Sequence, residues 1–410
     1  MNTARADALA ARNRLATRGW IARNAEWFRH LPPPASEVWL GDAAEAAGCV
    51  AAPLAGAGWT LHPVGDTPHG RVDARWLDAA DPTQRAELFD GVPQPGEGDA
   101  APFAWAHRAL CRDGLRLRVA HAFGRPGDTV WLQLRRQPRE AVEAPLLVVE
   151  VAAGVRCVLV ETHERDASCG HDAVQNLRVH LQLAEGATLQ HLRIVMPGAG
   201  DRVAHHVQAR LAHGASSRQG LIAAGSGYHL QRTELELHAP QAFAGTAAAL
   251  FAAGSSLEQQ VQVSHAASQT TSAVEALVLA QGKARAVVAA HTRIAPGADD
   301  AAVRQKLAGI PTGGQPKLVL RPHLEIHHDQ VQAAHGATWG ALPEDALFYA
   351  RQRGLDEREA RALIVEGMAS AVLQRGFEDA ALWATLGIEE RLGLAVRRHL
   401  SVDAKEPVHG

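Results

Sequence analysis

The sequence predicts a mainly β protein with helical regions at both ends, its centre coiled as a β-solenoid. Three observations predict it: short apolar–polar alternations through the middle of the chain, a corner motif that recurs at their ends, and helical spacing confined to the two termini.

From Ala4 to about Arg18 the chain is rich in Ala and Arg and reads as a helix. The aromatic segment GWIARNAEWFRHL follows, closed off by Pro32, Pro33 and Pro34. Residues 91–102, GVPQPGEGDAAP, are poor in apolar side chains and rich in helix and strand breakers, so they predict a linker or long loop. Residues 1–100 are thus expected to form a mainly helical N-terminal region.

From about Trp105 to Gln332 the texture changes to LRLRV, WLQLRR, LLVVEV, RVHLQL, TELELH, QVQVSH and LVLRPHLEI. Alternation at period two, punctuated by Gly, Pro, Asp and Ser, predicts strands over a core at 101–335. A tight turn is expected at Arg112, Asp113 and Gly114. A large apolar residue, then Ala, any residue and Gly recurs as VAAG (151–154), LAEG (183–186), LAHG (211–214), IAAG (222–225), FAAG (251–254), LAQG (279–282) and IAPG (294–297). Each copy ends a β-like run: the large residue points inward, and the small ones let the chain bend. Such repetition suits a solenoid whose coils stack and share backbone hydrogen bonds. An antiparallel sandwich or barrel is the alternative, but residues 150–330 are short of the Asn-Gly and Asp-Gly pairs that compact hairpins favour.

After Gly340 the spacing becomes helical, giving a C-terminal helical region at 336–410. Pro343, Glu344 and Asp345 open one helix, which Arg351, Arg353 and Gly354 close. Asp356 and Glu359 form a capping-box pair for a second, from about Glu357 to Gln374 with Gly376 as its stop. ALWATLGIEERLGLAVRRHL supplies one or two more.

Composition limits the function. With 41 basic against 44 acidic residues there is no basic field to attract nucleic acid. The cysteines Cys49, Cys111, Cys157 and Cys169 form no CxxC pair, which argues against a zinc ribbon or a disulfide framework and for a reducing compartment. The N-terminus lacks an apolar secretory stretch, and no apolar run is long enough to span a bilayer, so a cytoplasmic protein is expected. The chain has no GxxxxGK[ST] phosphate loop and so none of the residues of a P-loop ATPase.

The run LEIHHDQVQAAHGATWGALPEDALFYARQRGL, from Leu324 to Leu355, resembles the C-terminal signature of the SufB/SufD family of iron-sulfur cluster assembly scaffolds. Leu324, Glu325, Ile326, Asp329, Val331, His335, Gly336, Ala337, Thr338, Gly340, Leu347, Phe348, Tyr349, Arg353 and Gly354 fall in register with it. The His-Gly-Ala-Thr-x-Gly form at 335–340 is similar to the SufD branch, SufB usually carrying His-Glu-Ala there. Weaker similarity covers most of 105–375. The resemblance implies a right-handed parallel β-helix and a non-catalytic scaffold. It also implies two partners: a SufB-like scaffold, and a SufC-like ABC-type ATPase that supplies the ATP hydrolysis and docks on the C-terminal helices. A homodimer is the pairing expected in the absence of SufB. Ala333 and Ala334 replace the family's cysteine and serine, so His335 is the one ligand this strand retains for a transient iron-sulfur cluster at the SufB interface; no tightly bound cofactor is expected on this chain alone. Leu347, Phe348, Tyr349, Arg353, Gly354, Leu363 and Met368 are the candidate ATPase-docking residues.

Other constellations are weaker. His327 and His328 project to opposite faces of a strand and do not converge on a metal. His205 and His206, with His213 and His229 nearby in sequence, lack the local acid of a cupin-like metal centre. Glu234 and Glu236 share a strand face, as the carboxylates of a β-helical polysaccharide lyase or hydrolase would, but aromatic residues for stacking sugars are few. That enzyme reading predicts an acidic cleft; a stand-alone metal-binding protein is a third possibility.

Overall fold

The structure is a computed structural model, and it describes residues 3–41, 55–56, 58–64, 72–120, 129–165, 171–377, 383–385 and 387–401. Cys49 and Cys169 lie outside the described residues.

The N-terminal region contains α1 (Thr3–Arg18), α2 (Ser36–Leu40), β1 (Ala55–Gly56), β2 (Trp59–Pro63), β3 (Val72–Asp78) and α3 (Pro82–Leu88). Next come α4 (Ala101–Leu110), β4 (Asp113–Val119), β5 (Thr129–Arg136), β6 (Val142–Glu143), β7 (Leu146–Val151) and β8 (Arg156–Glu164). The coil continues through β9 (Val174–Leu183), β10 (Thr188–Met196), β11 (Arg202–Leu211), β12 (Ser216–Ala224), β13 (Tyr228–Leu237) and β14 (Phe243–Ala253). It ends with β15 (Ser256–His265), β16 (Thr271–Gly282), β17 (Arg285–Ile294), β18 (Ala301–Gly314), β19 (Lys317–Ile326) and β20 (Val331–Trp339). The closing helices are α5 (Glu344–Gln352), α6 (Glu357–Gly376) and α7 (Ile388–Leu400).

Successive strands from β7 onward alternate between two sheets. One stacks β5-β8-β10-β12-β14-β16-β18-β20 and the other β4-β7-β9-β11-β13-β15-β17-β19, every one of these pairings parallel. This is the stacked coil expected from the alternating runs, not a sandwich of hairpins. Inward residues such as Leu159, Leu189, Leu221, Leu250 and Val278 form one continuous core with Leu181, Leu211, Leu235 and Val263 of the facing sheet. Full burial of each such side chain contributes about 1.5–3 kcal/mol.

The recurring glycines sit at the corners. Gly154, Gly186, Gly214, Gly254, Gly282 and Gly297 all adopt positive φ, between 59° and 78°, a region in which a Cβ would be strained. Stacked corners bond to one another, Gly154 N–H to Glu185 O at 2.8 Å and Gly186 N–H to His213 O at 2.9 Å. Gly225 departs from the pattern: its φ is not positive, and an added Cβ would lie 2.3 Å from Ser255 Oγ, so close approach is its reason.

Four features differ from the sequence reading. Trp105 lies in a helix, because Pro102 opens α4 and its apolar side bears on the N-terminal aromatic segment. Gly114 is no tight turn; it lies inside β4 where an added Cβ would meet Leu146 O at 2.5 Å. The N-terminal region holds strands as well as helices, and these finish the coil: β2 runs antiparallel on β5, β3 antiparallel on β4, and Trp59, Leu61 and Trp76 fill the end of the core. The boundary placed at residue 335 falls within β20.

The aromatic segment lies across the outer face of the second sheet. Trp20, Phe28 and Trp39 surround Phe103 with ring centroids 4.9–6.1 Å apart, and Gln260 Nε2 donates to Trp27 O at 3.0 Å. The same Gln260 nitrogen donates to Glu258 Oε1 at 2.8 Å. Burial raises the Glu258 carboxyl to about 8, the Gln260 hydrogen bond opposing it. Because the folded-state value lies above the unfolded one, this residue's contribution is present below pH 4.5 and is lost as pH rises through 8. Glu258→Gln is therefore expected to match the parent's thermal midpoint at pH 5 and exceed it by about a few degrees at pH 8. Parallel melting curves across that range check it; a variant that is less stable at pH 8 contradicts the assignment.

Candidate functional site

At the C-terminal end nothing in the described chain stacks on the last coil. β19 and β20 are the edge strands of their sheets, and β20 is exposed or half-buried along its whole length. Trp339 is 60% exposed and Ile326 44%. His335 lies in the middle of β20, exposed, and Ala333 and Ala334 beside it are exposed too. Its register partner is Gln305. Tracing that register back along the sheet gives Val274, Thr246, Gln219 and His191, an inward file that is polar at most rungs.

The C-terminal helices pack on the outer face of the β20-containing sheet. Val365, Ala369, Val372 and Leu373 of α6 and Leu392, Ala395 and Val396 of α7 cover Val160, Ile194, Ile222, Phe251 and Leu279. The capping box at the start of α6 is formed, Asp356 Oδ1 accepting from Glu359 N–H at 2.8 Å and Glu359 Oε2 from Asp356 N–H at 2.9 Å. Among the candidate docking residues, Leu347 and Met368 pack toward the sheet, while Phe348, Tyr349 and Leu363 are 66%, 60% and 58% exposed. Both aromatics of the adjacent pair thus face outward, Leu347 being the anchor. Arg353 lies 3.8 Å from the centre of the Tyr349 ring, and Gly354 takes φ +90° just past the end of α5. His335 thus lies on the terminal coil, and the helical residues lie on or next to α5 and α6.

His327 and His328 behave as surface residues: His327 Nε2 meets Glu325 Oε1 at 2.6 Å, and His328 pairs with Asp299. Glu234 and Glu236 each face an arginine of their own sheet, Arg232 at 2.8 Å and Arg210 at 3.7 Å. They are ion-paired strand residues rather than a catalytic carboxylate couple.

Sequence reasoning missed a cluster inside the coil. Glu161 Oε1 lies 2.7 Å from His163 Nε2, and Glu161 Oε2 lies 3.0 Å from His191 Nε2; the His205 ring reaches across from β11 to 5.0 Å from that of His163. His205 faces inward while its neighbour His206 faces out onto Phe103. The acid absent from the His205 neighbourhood in sequence is supplied by β8. Burial pushes the Glu161 carboxyl upward, but the surrounding histidines outweigh it and hold the group well below the usual carboxylate range. Burial drives His205 well below an ordinary imidazole. The signal available in sequence was the pair in ETH, two apart and hence on one strand face; no local pattern indicates which later strand lies opposite.

The sequence model described as SUF system FeS cluster assembly, SufBD core domain, matches residues 135–368, more than half the chain and nearly all of the parallel coil. The chain belongs to the SufBD family. Among SufBD relatives, it is 25% identical over 249 residues to an iron-sulfur cluster assembly SufBD family protein of Synechocystis sp., covering 58% of this chain and 54% of the relative. It is 26% identical over 257 residues to a SufBD family protein of Mycobacterium leprae, covering 62% and 57%. Over 54 residues it is 35% identical to the iron-sulfur cluster assembly protein SufD of Escherichia coli, 13% of each chain. The match thus spans little more than half the length of the longer-aligning SufBD relatives. The described part contains no helix long and apolar enough to cross a membrane.

Proposed function

We propose that this SufBD protein is a SufD-like, non-catalytic scaffold of the cytoplasm. It pairs through its terminal coil with a SufB-like scaffold, or with its own copy when SufB is absent, and it carries a SufC-like ATPase on its C-terminal helices. The observation that carries the reading is the uncovered last coil. Two edge strands with exposed Ile326 and Trp339 present backbone donors and acceptors that a globular protein ordinarily covers. His335, central on that edge, is placed to add one imidazole to a transient cluster whose thiolate ligands come from the partner, since Ala333 has none to give. The ion-paired state of Glu234 and Glu236 leaves the polysaccharide lyase or hydrolase reading without a site.

Co-expression with the SufB-like and SufC-like proteins of the same source, followed by size-exclusion chromatography and iron and sulfide analysis, tests the reading. A stable ternary complex supports it, and failure to recover either partner under conditions where both fold overturns it. The helical surface is tested separately. The double change Phe348→Asp with Leu363→Asp is expected to weaken ATPase binding by about thirtyfold or more, as loss of exposed apolar anchors does, without lowering the thermal midpoint. Undiminished affinity by calorimetry would place the docking surface elsewhere.

A further inference from the structure

We propose that Glu161, His163 and His205 form a binding site inside the coil for one divalent first-row transition-metal ion, of the zinc(II) or iron(II) class. The inference concerns the interior and is independent of the scaffold reading. Among the described residues this trio is the set of His, Cys, Asp and Glu side chains whose potential ligand atoms converge, all within 4.8 Å of one another. Donor atoms held at about 2.0–2.2 Å in a tetrahedral shell lie about 3.4 Å apart, so closure needs a movement of under about 1.5 Å.

The second observation is the state of the rings. His205 is fully buried, yet neither its Nδ1 nor its Nε2 has a hydrogen-bond partner among the described residues. His163 Nδ1 is likewise without one. A buried imidazole with both nitrogens unpartnered bears a desolvation cost that hydrogen bonding does not offset, and a metal bond at one nitrogen offsets it directly. Two imidazoles and a carboxylate are a donor set that suits these ions and leaves coordination positions open. The support around the trio is that of a metal site. His191 holds the second oxygen of Glu161 and is itself held by Gln219 Oε1 at 3.0 Å. Arg193, the register partner of Glu161, turns both terminal nitrogens away to Gln231 Oε1 at 2.9 Å and Thr233 Oγ1 at 3.1 Å. A cavity of about 10 Å³ against His163, Gln175 and Pro197 provides room for about one water beside His163. Because Glu161 and His163 belong to one sheet and His205 to the other, the ion would brace the coil across its width.

The test uses the full chain, stripped with a chelator and dialysed anaerobically against zinc(II) or iron(II). One ion per chain is expected, with a rise in thermal midpoint. X-ray absorption of the zinc form is expected to show a nitrogen and oxygen shell, outer-shell scattering from two imidazoles, and no sulfur. His205→Gln and Glu161→Gln are expected to lower affinity by about hundredfold, while the surface changes His327→Gln and His328→Gln leave it unaltered. If the buried variants fail to fold, the absorption spectrum of the parent and the surface variants still decide. Absence of a bound ion, a shell containing sulfur or lacking imidazole, or loss of the ion in the surface variants would each overturn the proposal and leave the trio a hydrogen-bonded brace.

Discussion

Ala333→Pro is expected to leave the fold intact and to reduce end-to-end association by about hundredfold. Gly340 N–H donates inward to Gly309 O at 3.1 Å, and Gln330 O accepts from Asp300 N–H at 2.8 Å. The even-numbered residues of β20 therefore bond to β18, and Ala333, His335 and Ala337 turn their N–H groups to the free edge. Proline at 333 removes an edge donor without touching the chain's own ladder, and its ring occupies the space a partner strand would enter. Gln332 before it is already extended, as a residue preceding proline must be. A buried acceptor left unmatched in the partner costs about 1–3 kcal/mol, and the steric term adds to it. Sedimentation of the complex, with circular dichroism to confirm the fold, checks the effect. Undiminished association of a folded variant would show that the join does not use this edge.

A second large effect is expected on acidification. Burial pushes His107 down to about 3 and His180, His229 and His265 down to about 4. Each is neutral in the fold but titrates near 6.5 once unfolded, so each favours the unfolded chain as pH falls below 6.5. The stability they permit is fully present above that value and declines toward their folded-state values. At about 1.4 kcal/mol per pH unit each, the four together remove on the order of several kcal/mol by pH 5, comparable with the stability of a typical domain. Glu258 acts in the opposite sense over the higher range, between pH 4.5 and 8, but it is one group against four. Urea unfolding midpoints should fall sharply between pH 6.5 and 5; a midpoint unchanged over that interval would contradict neutral burial of these rings.

What the sequence disclosed follows the range over which each signal acts. The α1 helix, the capping box of α6, the alternating strands and, Gly225 apart, the corner glycines are written within a few residues of one another, and these are found where they were expected. The SufBD signature is equally local and locates His335 and the exposed face of α5. Three things were hidden. Residues 101–110 carry a proline-led helix beside strand-like runs, where their own periodicity is brief. β1–β3 are short strands added antiparallel to a parallel coil, so no repeat announces them. The interior trio joins Glu161 and His163 to His205 through the coil's register, which only the number of residues per turn determines. His205 and His206 read as a cupin-like pair without its acid until the strand assigns them opposite faces.

The antiparallel strands at the N-terminal end give the tube a polarity. There the interior is stoppered by Trp59, Leu61 and Trp76, and the edges are short antiparallel strands, β1 offering two residues, Ala55 and Gly56, and β3 offering seven. The opposite end offers nine on β20 and ten on β19. Were two such long edges to join, the stoppered ends with their short β1 and β3 edges would remain outward on each side. Further stacking there would meet only a short antiparallel edge, a poorer template than the long tip, which disfavours growth into a fibre.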